Sequence, residues 1–231
     1  MIIGKGMIAQ AFNDFYWNDD EILIFASGVS NSKTESASEF IRERNLLLKH
    51  LQLGKHLVYF STTSILDDLR SNSPYAEHKK HMENLVISSS KFSIFRLPEI
   101  IGKSSNVNTL TNFYFDNIVN NREFSLWVDV KRNLVDIEDV VMIANEFISD
   151  HQSWNQVIEI VAEHSTKSLD IIEILESITG IKARYIPGES PIFETSNKSS
   201  FLAASQTVKI PMSLHYTESI LKKYYGRLEH A

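Results

Sequence analysis

The sequence predicts an α/β fold in which helices cover both faces of a parallel β-sheet. Two observations support this prediction: short, continuously apolar runs recur along the chain, and segments with helical periodicity lie between them. Apolar runs without alternation are typical of strands buried on both faces, as in parallel sheets. Strands that alternate regularly with helices indicate βαβ units, and therefore a doubly wound sheet.

The apolar runs come in a clear order. We predict strands at residues 1–3, 21–28, 56–61, 92–98, 155–162 and 182–187. The first helix runs to about residue 16. The second is ended by Gly54 and carries an apolar stripe made of Phe40, Ile41, Leu47, Leu48 and Leu51. Further helices are predicted at 73–86, 165–180 and 217–226. Segment 100–121 is predicted as a loop followed by a helix, and segment 132–148 begins extended, with a helix that starts near Asp136 or Asp139. The Ser-rich segment 194–200 is predicted as loop.

Composition limits the class of partner. The 231 residues carry a net charge of −6, which argues against nucleic acid or an anionic membrane as the main partner. The chain has no cysteine, so thiolate metal sites and cysteine nucleophiles are excluded. We predict no metal site and expect a cytoplasmic protein, since no signal peptide or membrane-length apolar run is recognisable.

Three short segments with small or hydroxyl side chains lie at the carboxyl ends of predicted strands: residues 4–9, 26–28 and 61–63. The first reads Gly-x-Gly-x-x-Ala at a strand-to-helix junction, where glycines let the backbone approach a pyrophosphate. An ordinary tight turn is the alternative. Since ligands of such sheets bind at the carboxyl ends of strands, we expect the three segments to share one pocket.

A tyrosine and a lysine lie four residues apart on the helix predicted after residue 73. Among the eight tyrosines, Tyr75 is the one followed by a lysine at i+4, Lys79. Positions i and i+4 share a helix face. A positive charge near a phenol favours the phenolate and lowers its pKa from about 10. The pair is therefore a candidate for proton transfer between an alcohol and a carbonyl group, with the hydroxyls of Thr62 and Thr63 nearby.

These motifs, with Arg96-Leu97-Pro98, Gly102 and the stretch 132–140, resemble the extended short-chain dehydrogenase/reductase family, in its nucleotide-sugar epimerase/dehydratase branch. The resemblance covers most of the chain. It implies a Rossmann-like sheet and an NAD(P)-dependent reductase or epimerase that acts on a sugar linked to a nucleoside diphosphate, in surface polysaccharide or deoxysugar biosynthesis. It also carries the expectation of a homodimer.

The resemblance implies a role for each matching position. The catalytic residues are Thr62 (or Thr63), Tyr75 and Lys79. NAD or NADP would be held by Gly4, Lys5, Gly6, Met7, Ile8, Ala26, Ser27, Gly28, Ser61, Tyr75, Lys79, Leu97 and Pro98. The substrate would be bound by Thr62, Glu99, Asn106, Asn108, Thr109 and Arg132. Residues 1–104 would form the dinucleotide-binding region, and residues 105–231 would complete the sheet and form a small α+β substrate-binding part.

The chain departs from the family in its first half. About eight residues, 17–24, separate the first helix from the next strand, whereas a crossover needs a dozen or more. We therefore predict that two outer strands are missing, together with the acidic residue that would hold the adenosine ribose. Asp19 and Asp20 are alternatives for that acidic residue, but they are interpreted as a solvated turn. Glu99 and Leu66 replace the family's usual Asn and Tyr.

Two functional hypotheses follow. The first is a reductase, favoured over an epimerase because a one-way reduction tolerates a loosely held, exchangeable cofactor. The second is a relative without redox chemistry that binds a nucleotide sugar or a protein partner. His78 and His81 are predicted to lie on an exposed face of the helix.

Overall fold

A computed structural model describes residues 1–67, 70–189, 203–211, 213 and 215–226. The Ser-rich segment 194–200 lies outside these residues. The chain forms two compact units that are interleaved along the sequence. The first comprises Met1–Leu97, Ile137–Ile160 and Ile192–Val208, and the second comprises Pro98–Asp136, Val161–Pro191 and Lys209–Ala231. The division at residue 104 stays a prediction.

A six-stranded sheet organises the first unit. Its strands are β1 (Ile2–Ile3), β2 (Ile22–Phe25), β3 (His56–Thr62), β4 (Phe92–Leu97), β9 (Gln156–Ala162) and β12 (Gln206–Ile210), in the spatial order β1-β2-β3-β4-β9-β12. The pairs β1–β2, β2–β3, β3–β4 and β4–β9 are parallel. This is the predicted doubly wound, Rossmann-like sheet.

The sheet is short on the side of β1. Strand β1 pairs directly with β2, Ile3 opposite Phe25, and in the described residues no strand lies beyond β1. A full dinucleotide-binding sheet of order 3-2-1-4-5-6 has two strands there. The prediction of two missing outer strands is therefore confirmed.

Helices cover the sheet of the first unit. They are α1 (Met7–Ala11), α2 (Asn13–Tyr16), α3 (Ala37–Leu51), α4 (Pro74–Ile87) and α6 (Ile137–Ser149). Side chains of β2, β3, β4, α3 and α4 form one apolar core: Leu23, Phe25, Leu47, Leu57, Tyr59, Met82, Val86, Phe92 and Ile94, with Val157 of β9. The predicted stripe of α3 was wrong in one respect, because Ile41 is 57% exposed and Glu43 is fully buried.

The second unit mixes short strands with helices. Its strands pair as β5 (Glu99–Ile101) with β8 (Leu134–Asp136), β6 (Glu123–Trp127) with β11 (Arg184–Gly188), and β7 (Lys131–Arg132) with β10 (Thr166–Lys167). Its helices are α5 (Leu110–Val119), α7 (Ser168–Thr179) and α8 (Tyr216–Tyr225). They enclose a separate apolar core that includes Tyr114, Leu126, Ile171 and Leu221.

The sequence patterns did not predict β5, β6 or β12, which are three to five residues long. Strands this short show too few residues for periodicity to be recognised. Among the described residues, no helix combines the length and the apolar character needed to cross a bilayer.

Candidate active site

The glycine turn after β1 contains two glycines with different structural roles. Gly4 has φ +135°, and a Cβ there would lie 2.3 Å from the carbonyl oxygen of Ala26, so only glycine lets the ends of β1 and β2 approach. Gly6 has ordinary extended backbone, and a Cβ there would meet no atom of the described residues within 4 Å. Lys5 is exposed and Met7 and Ile8 are half-buried. The turn therefore requires Gly4 but leaves open space at Gly6.

The turn after β2 rests on a buried ion pair. A Cβ on Gly28 would lie 2.7 Å from Nζ of Lys79 and 3.1 Å from Oε1 of Glu43. At the neighbouring position, exposed Arg42 donates from Nη1 and Nη2 to the Ser27 carbonyl oxygen, at 3.2 Å each. The turn formed by Ala26, Ser27 and Gly28 thus places small residues against the ion pair and is hydrogen-bonded by the exposed Arg42 guanidinium.

The three hydroxyl side chains at the end of β3, those of Ser61, Thr62 and Thr63, have different environments. Ser61 is 6% exposed, and its Oγ has no hydrogen-bond partner among the described residues. Successive strand side chains alternate between faces, so Ser61 shares a face with Tyr59 and Thr62 shares the other face with Phe60. Thr62 Oγ1 accepts a hydrogen bond from the backbone N–H of Ser64 (3.1 Å) and so caps the 3₁₀ turn Thr63–Leu66. Thr63 is half-buried in that turn.

Helix α4 begins with a well-defined cap that aims its first turn. Ser73 Oγ accepts a hydrogen bond from the Ala76 N–H (3.2 Å), and Pro74 occupies the first helical position. Tyr75 follows, 8% exposed, and Lys79 is 2% exposed. Nζ of Lys79 lies 5.9 Å from the centroid of the Tyr75 ring. The predicted helix and the shared face of the two residues are as the sequence indicates; their catalytic role stays a prediction.

The Lys79 ammonium is held by two groups from other elements. Nζ donates to Glu43 Oε1 of α3 and to the Tyr59 hydroxyl of β3, each at 3.0 Å. Tyr59 in turn donates to the same Glu43 oxygen at 2.7 Å. An ammonium has three N–H groups, and the described part of the chain offers acceptors for two of them.

The second carboxylate oxygen of Glu43 contacts two further nitrogen atoms. Oε2 accepts the backbone N–H of Val29 at 2.6 Å and lies 3.0 Å from His78 Nε2. The His78 ring stacks on Phe40, with centroids 4.5 Å apart. His78 therefore faces the protein, and the prediction that it lies on an exposed face was wrong; His81 is exposed.

The electrostatics of the cluster favour the charged forms of both partners. Burial alone would raise the pKa of the Glu43 carboxyl, but the Lys79 charge and the hydrogen bonds from His78, Val29 and Tyr59 hold it well below its usual range. Burial alone would lower the pKa of Lys79, but Glu43 raises it overall. Burial, followed by the Glu43 charge, raises the pKa of Tyr59 well above 10, so its phenol stays neutral.

In the second unit, Arg132 is buried and contacts several side chains. It is 5% exposed, with Nη1 3.6 Å from Glu99 Oε1 and Nε donating to Ser168 Oγ at 3.4 Å. Its guanidinium lies over the Trp127 ring, 5.5 Å from the centroid. Two predicted substrate-binding residues, Glu99 and Arg132, are thus brought together as an ion pair 33 residues apart in sequence.

The remaining predicted residues have local roles. Asn106 Oδ1 accepts the Asn108 N–H (3.0 Å), and the Asn106 carbonyl accepts the Thr109 hydroxyl (3.1 Å), which builds the turn before α5. Leu97 is buried at the end of β4, and Pro98 follows it half-buried. Asp19 Oδ1 accepts the N–H groups of Glu21 and Ile22, which is the turn that the sequence predicted.

Sequence reasoning missed Glu43 and Tyr59. The signal for Glu43 was present, because it lies three residues after Phe40 and four before Leu47, within the apolar stripe. A charged residue inside an apolar stripe indicates a buried partner. Tyr59 offered no comparable signal, since a tyrosine in a buried strand is common.

The sequence matches no protein-family model and no curated protein sequence. Solved structures share the fold. RMD from Pseudomonas aeruginosa, complexed with NADPH, has a TM-score of 0.61 at 16% identity, covering 78% of this chain and 74% of its own. UDP-glucose 4-epimerase from Thermotoga maritima, with UDP-glucose, has a TM-score of 0.59 at 17% identity, covering 81% of this chain and 72% of its own. UDP-glucose 4-epimerase from Thermus thermophilus, in complex with NAD, has a TM-score of 0.61 at 14% identity, covering 87% of this chain and 72% of its own. The chain therefore has the Rossmann-like fold of nucleotide-sugar epimerases and related enzymes.

Proposed function

We propose that this protein is an NAD(P)-dependent oxidoreductase of the short-chain dehydrogenase/reductase type that reduces a keto group on a sugar linked to a nucleoside diphosphate. The observation that carries the proposal is the buried group at the carboxyl end of the sheet. There Tyr75 and Lys79 share a helix face, and one N–H of Lys79 has no acceptor in the described part of the chain and suits a ligand. The solved structures of similar fold that contain NADPH, NAD or UDP-glucose support this choice of ligands.

The first unit has groups that fit a nicotinamide dinucleotide. Open space at Gly6 suits a close approach of the pyrophosphate to the backbone. The buried Ser61 hydroxyl and the third Lys79 N–H, which have no partner among the described residues, suit polar groups of the cofactor. Exposed Lys5 and Arg42 supply positive charge near the ends of β1 and β2.

The chemistry assigns a task to each side chain. When bound, the reduced cofactor supplies a hydride to the carbonyl carbon. Tyr75 donates its phenolic proton to the carbonyl oxygen, which becomes the product hydroxyl, and the phenolate regains a proton from solvent. Lys79 stabilises that phenolate by its positive charge. The Thr62 hydroxyl, whose oxygen accepts the Ser64 N–H, can still donate its own proton to orient the sugar oxygen, and Thr63 is the second candidate for this role.

A reductase fits the shortened sheet better than an epimerase. An epimerase must hold its cofactor through an oxidation and a reduction, whereas a reductase can exchange it after every turnover. With no strand beyond β1 in the described residues, fewer contacts are available for the adenosine half. For the second unit we propose that Arg132 contacts the substrate diphosphate, with Glu99 as its partner in the free protein. Asn106, Asn108 and Thr109 are proposed as a loop that contacts the substrate. The proposed reaction would belong to surface polysaccharide or deoxysugar biosynthesis.

The Tyr75→Phe variant tests this function. Oxidation of NADH and NADPH is followed at 340 nm with 4-keto nucleotide sugars, and the variant is expected to lose at least 100-fold in kcat, because general acid catalysis contributes 10²–10⁴-fold. Tyr185→Phe, whose ring packs on Phe124, is the matched control and should keep full activity. Equal turnover by Tyr75→Phe and wild type would eliminate the proposed role.

A second candidate function is binding of a nucleotide sugar without redox chemistry. The absence of a strand beyond β1 in the described part favours it, because that side of a full sheet holds the adenosine. Fluorescence titration with NADH and NADPH, in the presence of UDP-sugars, separates the two. Saturable binding of either cofactor supports the reductase, and binding of the sugar nucleotide alone supports the second candidate.

A further inference from the structure

The most unusual feature of the first unit is a carboxylate that is completely buried on helix α3. Glu43 is 0% exposed and its two oxygens contact Lys79, Tyr59, His78 and the Val29 N–H. These groups come from α4, β3 and the turn after β2. The carboxylate is therefore the point at which three elements around the candidate site are joined.

Stability alone does not account for this ion pair. Taking two charges out of water costs free energy that their attraction often only offsets, and well-packed apolar side chains of similar volume are often as stable or more so. The apolar core of this unit includes Leu47 and Met82, one helical turn along the chain from Glu43 and Lys79, and Tyr59, which contacts both charges. A buried charge pair at the carboxyl end of the sheet therefore points to a task beyond packing.

We propose that Glu43 is a positioning residue for proton transfer: it holds the Lys79 ammonium in place beneath Gly28 and limits how much of its positive charge acts on Tyr75. This inference rests on the proposed function, since Tyr75 is its proton donor. Glu43 itself touches neither substrate nor cofactor in this proposal.

The geometry explains how Glu43 would act. Two N–H groups of Lys79 are directed to Glu43 and Tyr59, so the third has a defined direction for a ligand. Gly28 lies against Nζ, because a Cβ there would come within 2.7 Å. Glu43 is the counter-charge 3.0 Å from Nζ, and it offsets part of the field that an isolated ammonium would exert on the phenol 5.9 Å away.

Other ionisable groups face the pair and are part of the same balance. Tyr59 faces it from β3, and Tyr75, His78 and Glu83 face it from α4. Glu83 is already bound by Arg96 of β4 (2.8 Å). Glu43 is the carboxylate in direct contact with Lys79, so its removal should have the largest effect on Tyr75.

The test observes Tyr75 directly. Protein labelled with ¹³Cζ-tyrosine is titrated by NMR, and the Tyr75 resonance is assigned by its loss in Tyr75→Phe. In Glu43→Gln, which keeps the shape but removes the charge, the midpoint of the Tyr75 titration should fall by about one pH unit, as expected for a cation that has lost its counter-ion. Glu39→Gln, on the exposed side of the same helix, should leave the midpoint unchanged.

A second variant covers the case in which Glu43→Gln does not fold. Glu43→Asp keeps the negative charge, but its side chain is one methylene shorter, so the carboxylate lies farther from Nζ of Lys79. The midpoint of the Tyr75 titration should therefore fall by a smaller amount than in Glu43→Gln. A midpoint that stays within 0.2 of wild type in every variant that folds, that rises because Lys79 without Glu43 loses its proton, or that moves equally in Glu39→Gln, would overturn the proposal.

The pH profile of kcat supplies an activity readout that a purely structural role would not move. In Glu43→Gln the pH of half-maximal kcat should shift in the same direction as the NMR midpoint. If wild type shows no turnover with any keto nucleotide sugar, the reductase proposal fails, while the NMR titration still decides the role of Glu43.

Discussion

The two glycines of the first turn allow a ligand-binding role to be separated from a structural one. A Cβ at Gly4 would lie 2.3 Å from the Ala26 oxygen and 2.7 Å from its carbon, at a φ of +135°. Both atoms belong to backbone and cannot move without separating β1 from β2. Gly4→Ala should therefore cost about 3 kcal/mol or more of unfolding free energy.

Gly6→Ala should behave in the opposite way. In the part of the chain that the structure describes, a Cβ there meets no atom within 4 Å, and φ is −76°. Reduced freedom of the unfolded chain stabilises by about 0.4–1 kcal/mol, and alanine is a poorer N-cap than glycine by a comparable amount. The net change in unfolding free energy should therefore stay within about 1 kcal/mol.

If the turn holds a pyrophosphate, the same methyl group occupies the space that the phosphate needs. The loss of one hydrogen bond to a charged group costs about 1.5–3 kcal/mol, which is roughly a 10- to 100-fold weaker binding of NAD(P)H. Urea unfolding and cofactor fluorescence titration measure the two effects on one sample. A folded Gly6→Ala variant with an unchanged dissociation constant would refute the pyrophosphate role and leave an ordinary tight turn.

Two further predictions concern buried ionisable side chains of the first unit. Burial, with smaller contributions from His151 and Lys91, lowers the pKa of His56 to about 4; the unfolded chain then binds more protons below pH 6.5, so stability should fall between pH 6.5 and 4, by about 2 kcal/mol at pH 5. Urea midpoints at pH 7.5 and 5 for wild type and His56→Phe check this, and a variant with the same pH dependence as wild type would contradict it. Arg96 is fully buried and donates from Nε and Nη2 to Glu83, at 3.0 and 2.8 Å; Arg96→Met should lose about 3–5 kcal/mol, because Glu83 is left buried without its partner. Arg122→Met, which breaks an exposed pair with Asp116, is the control and should lose less than about 1 kcal/mol, and a similar small loss for Arg96→Met would show the reasoning to be wrong.

Much of the fold follows from patterns that are local in sequence. Continuous apolar runs placed β2, β3 and β4 correctly, because a strand buried on both faces must be apolar throughout. The length of the connection before β2 was sufficient to predict a shortened sheet, since a crossover cannot be made in so few residues. The shared face of Tyr75 and Lys79 follows from the helical repeat alone.

The partners of these residues were decided by tertiary structure. Glu43 and Lys79 are 36 residues apart, and Arg132 and Glu99 are 33 apart, so neither pair produces a periodic signal. Which face of α3 is buried depends on what the helix packs against, and this placed Glu43 inside and Ile41 outside. The sequence by itself determined that a phenol and an ammonium share a helix face at the end of a parallel sheet. Only the folded chain decided that a buried carboxylate holds that ammonium, because the contact joins side chains from two helices and a strand that meet through long-range packing.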